Sequence, residues 1–362
     1  MAGQAVLNVF LLLLGFVLLV KGADFFVDGA SGIAKKLKVS TFIIGVTVVA
    51  LGTSAPEAAV TIMDAVNGSG DLIVGNILGS NILNILLILG ISAVICNLPV
   101  EKTTRIIDLP FLLLISALFV LLGSLDGGSF SLDGSFSWWE GIILLVLYLA
   151  YMAYNIVFAV KQSKLQLEEA HTVCAMEAEA VRPQEVTGWY ANLKLKYEAL
   201  KDKVWFLIII TVVGLGMVVG GAQLVVDSAQ FIAQDLIGIS PEIVALTVVA
   251  FGTSLPELVT SVSAARKGDV GIATGNIIGS NIANILLIGG LGAVCKGSLG
   301  LPFSTEGLVS GIVALGAAVI IFVSSFGKKK CIGRAAGIIM LSCLVAYYVF
   351  IFLNLYVFKI YV

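Results

Sequence analysis

TVVALGTSAPE at residues 47–57 returns as TVVAFGTSLPE at 247–257, and GNILGSNILNILLI at 75–88 returns as GNIIGSNIANILLI at 275–288. Between 47–90 and 247–290, 24 of 44 positions are identical. A weaker echo joins GADFFVD (22–28) to GAQLVVD (221–227). Chance likeness between two leucine-rich helices does not explain matched Gly, Thr, Ser, Pro, Glu and Asn. The chain is a duplication whose two halves carry the same chemistry.

The composition says what kind of protein was duplicated. Of 362 residues, 59% are hydrophobic and 12% charged, with a mean hydropathy of +1.07. A soluble domain carries roughly 25% charged residues, so the expected fold is an all-α polytopic membrane protein. Apolar runs lie at 4–21, 40–66, 71–95, 106–124, 138–160, 204–228, 239–265, 269–294, 305–324 and 334–357. Ten transmembrane helices of about 20 residues are expected. The first run lacks a basic leader and is followed by Lys21, so it reads as a retained helix.

With the N-terminus outside, 19 of the 21 basic residues fall in connections on the cytoplasmic side. That asymmetry supports ten spans with both termini outside and residues 161–203 in the cytoplasm, in the cell membrane. Five spans separate equivalent motifs, an odd number, so the second copy must cross in the opposite sense. The expected organisation is a first five-helix repeat (1–160), a cytoplasmic linker (161–203) and a second, inverted repeat (204–362). Inverted repeats belong to secondary transporters, with sites near the membrane midplane.

Several classes are disfavoured. Acidic and basic residues nearly balance, 23 against 21, so a nucleic-acid partner is not expected. Five cysteines without CxxC spacing and a single histidine do not support a disulfide framework or zinc cluster. No base is spaced to activate Ser54 or Ser254, so the chain does not read as an enzyme. No cofactor and no obligatory protein partner are expected beyond the lipid bilayer.

Glu57 and Glu257 fall deep within their spans, where a carboxylate costs a few kcal/mol or more without compensation. Pro56 and Pro256 precede them, breaking helices 2 and 7 and loosening carbonyls around Ala50–Thr53 and Ala250–Thr253. Thr53 and Ser54 share a helical face with Glu57, as Thr253 and Ser254 do with Glu257. The following helices add Ser80 and Asn84, and Ser280 and Asn284. Asn76, Asn81, Asn276 and Asn281 read equally well as ligands or as interhelical hydrogen-bonding residues. Gly75/Gly79 and Gly275/Gly279 allow close approach. An all-oxygen set suits Ca²⁺ or Na⁺ rather than zinc or copper.

Other polar residues read as structural. Ser40 and Ser240 resemble helix N-caps, and Asp28 and Asp227 cap or bridge helices. Asp64 lies seven residues after Glu57 on the same face, towards the outside, where its charge would attract cations. Ala264 replaces it in the second copy, so it falls outside the core site. His171 and Cys174 form an HxxC on the linker.

GTSAPE with GNILGSNILN, repeated as GTSLPE with GNIIGSNIAN, resembles the paired α-repeats of the sodium/calcium exchanger family of cation/calcium antiporters. The resemblance implies Ca²⁺ bound by Glu57 and Glu257 with the Thr53 and Thr253 carbonyls. It implies Na⁺ sites at Ser54, Ser80 and the Ala250 carbonyl, mirrored by Ser254, Ser280 and the Ala50 carbonyl. Asn84 and Asn284 would stand at the centre, and the first and sixth helices would slide past the rest. Asn284 stands where many microbial relatives and the potassium-dependent branch carry aspartate, which argues against K⁺ transport. Electrogenic Na⁺/Ca²⁺ exchange is the leading expectation. Ca²⁺/H⁺ exchange is the alternative, and a cation channel is disfavoured by two-fold inverted symmetry within one chain.

Overall fold

The computed structural model describes residues 2–67, 70–126, 129–132, 134–173, 200, 203–233, 250–327 and 330–353. The first helix, α1 (Ala2–Leu37), is far longer than the apolar run at 4–21. It continues through GADFFVDGASGIAKKL, in which Asp24, Asp28 and Ser31 bond Ser263, Lys267 and Asp269 instead of ending the span. A broken segment follows. Helix α2 (Thr41–Thr53) meets α3 (Ala55–Val66) at a 45° bend. Ser40 caps α2 as expected, its hydroxyl accepting from the Phe42 N–H at 3.1 Å.

The first half continues with α4 (Ile73–Ile95), β1 (Leu98–Pro99) and α5 (Thr104–Gly123). Three short strands follow, β2 (Leu125–Asp126), β3 (Ser129–Phe130) and β4 (Gly134–Phe136), then α6 (Trp138–Val173). Helix α6 carries the chain into the segment expected as a linker. Its Gln162 accepts the Ser40 N–H at 2.9 Å, tying the start of α2 to the end of α6. The remainder of that linker, with Cys174, lies outside the described residues, as does Ser240.

The second half opens with α7 (Val204–Phe231) and the broken segment α8 (Ala250–Thr253) and α9 (Leu255–Lys267). It closes with α10 (Val270–Leu299), β5 (Leu301–Phe303), α11 (Thr305–Ser325), β6 (Cys331–Ile332) and α12 (Arg334–Leu353). Among the described residues, eight helices are long and apolar enough to cross a membrane, or nine with α2–α3 as one bent span. The first part of the seventh expected span falls in 239–249, beyond the described residues.

Burial separates two kinds of helix. The central windows of α4 and α10 are 78% and 83% buried, whereas those of α1, α6 and α12 are 17–22% buried and expose leucine, valine and phenylalanine. Motif helices thus form the interior, and α1, α6 and α12 turn apolar side chains outward. The seam of α1 with α7 runs along Gly15, Gly22 and Gly29, one residue in seven. A Cβ at Gly22 would lie 2.7 Å from Met217 Cβ, so these backbones touch because side chains are absent.

The strands fasten the connecting loops. β1 pairs with β6 and β4 with β5, all antiparallel, each joining the first half to the second. Phe119, Phe136 and Phe303 seal the β4–β5 pair, the latter two edge to face at 5.7 Å.

Candidate functional site

Both glutamates are in the interior: Glu57 is 2% exposed and Glu257 is 1%. Each sits in the first turn of the helix after a break, beyond Ser54 and Ser254 in near-identical bridge conformations (φ −82°, ψ 7° and φ −86°, ψ 1°). The prolines at the second position of α3 and α9 need no N–H partner there. The break is therefore one residue wide. One expectation needs correction, because the Ala50 carbonyl is not freed: it accepts from the Ser54 N–H at 3.0 Å. The bend re-forms the helical bond locally, and Ala50 can offer a cation only its second lone pair.

The two breaks meet across the halves. Ser54 donates to Glu257 Oε1 at 3.0 Å, and Ser280 reaches the same oxygen at 3.4 Å. Ser254 lies 3.5 Å from Ser80, hydroxyl to hydroxyl. Asn84 and Asn284 are each 1% exposed. Ala250 and Thr253 hold the mirror positions of Ala50 and Thr53 on α8. Residues nearly 200 positions apart thus line one interior.

Among the described residues, the interior oxygens without a hydrogen-bond partner include Glu57 Oε2, Glu257 Oε2, Asn84 Oδ1 and Asn284 Oδ1, with Asn281 Oδ1 besides. Buried polar atoms are ordinarily satisfied. A pair from each half, all acceptors, gives a donor set for a hard cation. Among the described residues no group of three or more His, Cys, Asp or Glu comes together.

The asparagines left open by the sequence divide. Asn281 donates to the Ile277 carbonyl at 2.7 Å, within its own helix. Asn81 accepts from Asn284 Nδ2 at 3.0 Å and donates to the Asn281 carbonyl at 3.3 Å, clamping the halves together. Asn276 accepts from the Thr53 hydroxyl at 3.0 Å and donates to Ser261 at 2.9 Å. In the mirror position, Asn76 Nδ2 and Thr61 Oγ1 have no partner.

Sequence reasoning passed over Thr61 and Ser261, although a hydroxyl four residues after each glutamate was the signal. It also passed over Asp108, which accepts from Tyr151 at 2.9 Å, and over a network between α1 and α9. There Lys267 pairs with Asp28 at 2.7 Å and Asp24 at 3.4 Å, and Ser263 donates to Asp24. Asp28 is therefore a bridge between helices.

A family model described as sodium/calcium exchanger protein matches residues 7–157 and 206–353, both halves and both motif copies. The chain belongs to the sodium/calcium exchanger family. It is 35% identical to sodium/calcium exchanger MaX1 of Methanosarcina acetivorans, covering 95% of this chain and 98% of that one. It is 35% identical to inner membrane protein YrbG of Escherichia coli over 78% of each chain. A solved structure of the sodium-calcium exchanger NCX_Mj, soaked with 10 mM Na⁺ and no Ca²⁺, superposes with a TM-score of 0.75. It is 32% identical, covering 95% of this exchanger and 99% of that chain. This exchanger is accordingly a membrane cation/calcium antiporter and not an enzyme, with Na⁺ and Ca²⁺ as its family's transported ions.

Proposed function

We propose that the protein exchanges Na⁺ for Ca²⁺ by alternating access, electrogenically and without K⁺. The observation that carries this reading is the pair of buried carboxylates, one from each half, whose outer oxygens lack partners while serines of both halves surround them. Two carboxylates neutralise one Ca²⁺. The same oxygens can instead hold monovalent ions one at a time, and mutually exclusive occupancy is the physical basis of exchange.

In this reading Glu57 and Glu257, with Thr53 and Thr253, hold Ca²⁺. Ser54, Ser80, Ser254 and Ser280, with the Ala50 and Ala250 carbonyls, hold Na⁺, and Asn84 and Asn284 complete the centre. Asn284 brings a neutral amide, so the site's formal charge is −2. More than two Na⁺ per Ca²⁺ then moves net charge, and membrane potential contributes about 2.3 kcal/mol per charge per 100 mV. Ten spans arranged as repeats 1–160 and 204–362, with both termini outside, follow from the motif spacing and basic-residue asymmetry. The inner-membrane relative supports the cell membrane as its location.

The test is ⁴⁵Ca uptake into proteoliposomes loaded with Na⁺, K⁺ or acid in turn. Uptake is expected to require an outward Na⁺ gradient and to grow with an inside-positive potential, because more than two Na⁺ leaving for each Ca²⁺ entering carries net positive charge out. Uptake that follows a pH gradient in sodium-free medium would replace this reading with Ca²⁺/H⁺ exchange.

A further inference from the structure

Glu57 is the first member of a column. Thr61 and Asp64 stand four and seven residues further along α3, on the same helical stripe. Thr61 is 1% exposed, and Glu57 Oε2, Thr61 Oγ1 and Asp64 Oδ2 are all shielded from solvent without a hydrogen-bond partner. Seven residues of helix span about 10 Å, so three unmatched oxygens follow one another from the interior towards the end of the helix. Gly292 of α10 adjoins the stripe. A Cβ there would lie 3.4 Å from Thr61 Cγ2, so α10 passes close beside this threonine.

The second copy lacks the carboxylate of this column, although its Thr260 Oγ1 is likewise buried without a partner. Beyond Glu257, Ser261 is bonded to Asn276, and the position matching Asp64 is Ala264, apolar and wholly buried. Asp64 is in no described ion pair. A carboxylate and a hydroxyl left unmatched in sequence with a binding glutamate make a one-sided run of hard-cation donors.

We infer that Thr61 and Asp64 form an outer cation station, separate from the Glu57–Glu257 site, at which Ca²⁺ waits on its way from the external side. A divalent ion gains twice what Na⁺ gains from the single Asp64 charge, so the station favours Ca²⁺. The inference rests on the exchange reading and on the orientation that places the end of α3 outside. It makes the two faces of the exchanger unequal. External Ca²⁺ is gathered by a charge that cytoplasmic Ca²⁺ does not meet.

Two measurements decide it. The first compares Asp64→Asn with the parent in vesicles of defined orientation, titrating Ca²⁺ from each side. The half-saturating external Ca²⁺ should rise about tenfold at low ionic strength, and the rise should shrink as salt is added. The cytoplasmic value should stay in place. An unchanged external value, an equal change on both sides or a change on the cytoplasmic side alone overturns the station.

The second uses the Glu57→Gln/Glu257→Gln double variant in detergent, with ⁴⁵Ca binding at equilibrium. Weak residual binding should be present and should vanish when Asp64→Asn is added. Absence of that residue, or its survival in the triple variant, also overturns the station. Because this arm needs no transport, it gives an answer even where the parent protein fails to exchange Na⁺ for Ca²⁺.

Discussion

The segments 53–84 and 253–284 are close to the same sentence written twice, yet they are wired differently. Around the second copy one run of polar groups is joined, although Glu257 Oε2, Thr260 Oγ1, Asn281 Oδ1 and Asn284 Oδ1 are not. Thr53 bonds Asn276, Asn276 bonds Ser261, and Gly275 and Gly279 lie hard against the backbone of α2. Around the first copy, Asn76 Nδ2 and Thr61 Oγ1 have no partner among the described residues, and the stretch 241–249 that would mirror the start of α2 lies outside them. The ends differ too. Lys267 of α9 clamps Asp24 and Asp28 of α1, while Asp227 accepts only from Gln223 of its own helix among the described bonds. A duplicated sequence therefore does not impose duplicated contacts. The bonds seen around one copy need not recur around the other.

The comparison can be broken where the copies are meant to agree. Glu57→Gln and Glu257→Gln should each reduce gradient-driven ⁴⁵Ca uptake to the level of empty liposomes while the protein remains monodisperse in detergent. Activity surviving in one of the two would mean that the carboxylates do not share an ion.

It can be sharpened where they differ. Gly275→Ala places a methyl 2.5 Å from the Phe42 carbonyl, an overlap expected to cost about 1–3 kcal/mol. Gly275→Ala should lower the thermal unfolding midpoint by several degrees; an unchanged midpoint would show that this backbone contact yields freely.

Asn276→Leu strips Ser261 of its donor and Thr53 of one of its acceptors. It should destabilise by about 1–3 kcal/mol. Asn76→Leu should cost less than about 0.5 kcal/mol, read by the same unfolding measurement. Smallest of all, Lys267→Met removes ion pairs whose side chains are about a quarter to a third exposed, for about 0.5 kcal/mol. The difference between parent and variant should fade at high salt.

Much of this was legible beforehand because the chemistry is written in residue types that hydrocarbon does not tolerate idly. Glutamate after proline, serine after threonine and Ser-x-x-x-Asn are conspicuous in apolar runs, and the structure gathers them into one interior. Length was harder to read. Hydropathy ends the first span at residue 21, but α1 runs on to Leu37 because Lys267 compensates Asp24 and Asp28 from another helix. Asp108 was invisible for the same reason, since its partner Tyr151 is 43 residues away. The unequal wiring could not be read at all, because identical letters carry no record of which copy is bonded.

The small loop ladders bear on how such a molecule moves. β1–β6 and β4–β5 stitch the first half to the second with main-chain rungs, and α1 and α7 contribute no strand to either. Shearing the stitched frame would tear those rungs apart. Displacing the α1–α7 pair as a unit breaks none of them, and its glycine seam travels with it. The α1–α7 pair thus stands outside the basted frame, tied to it by side chains such as Lys267 and not by main-chain rungs.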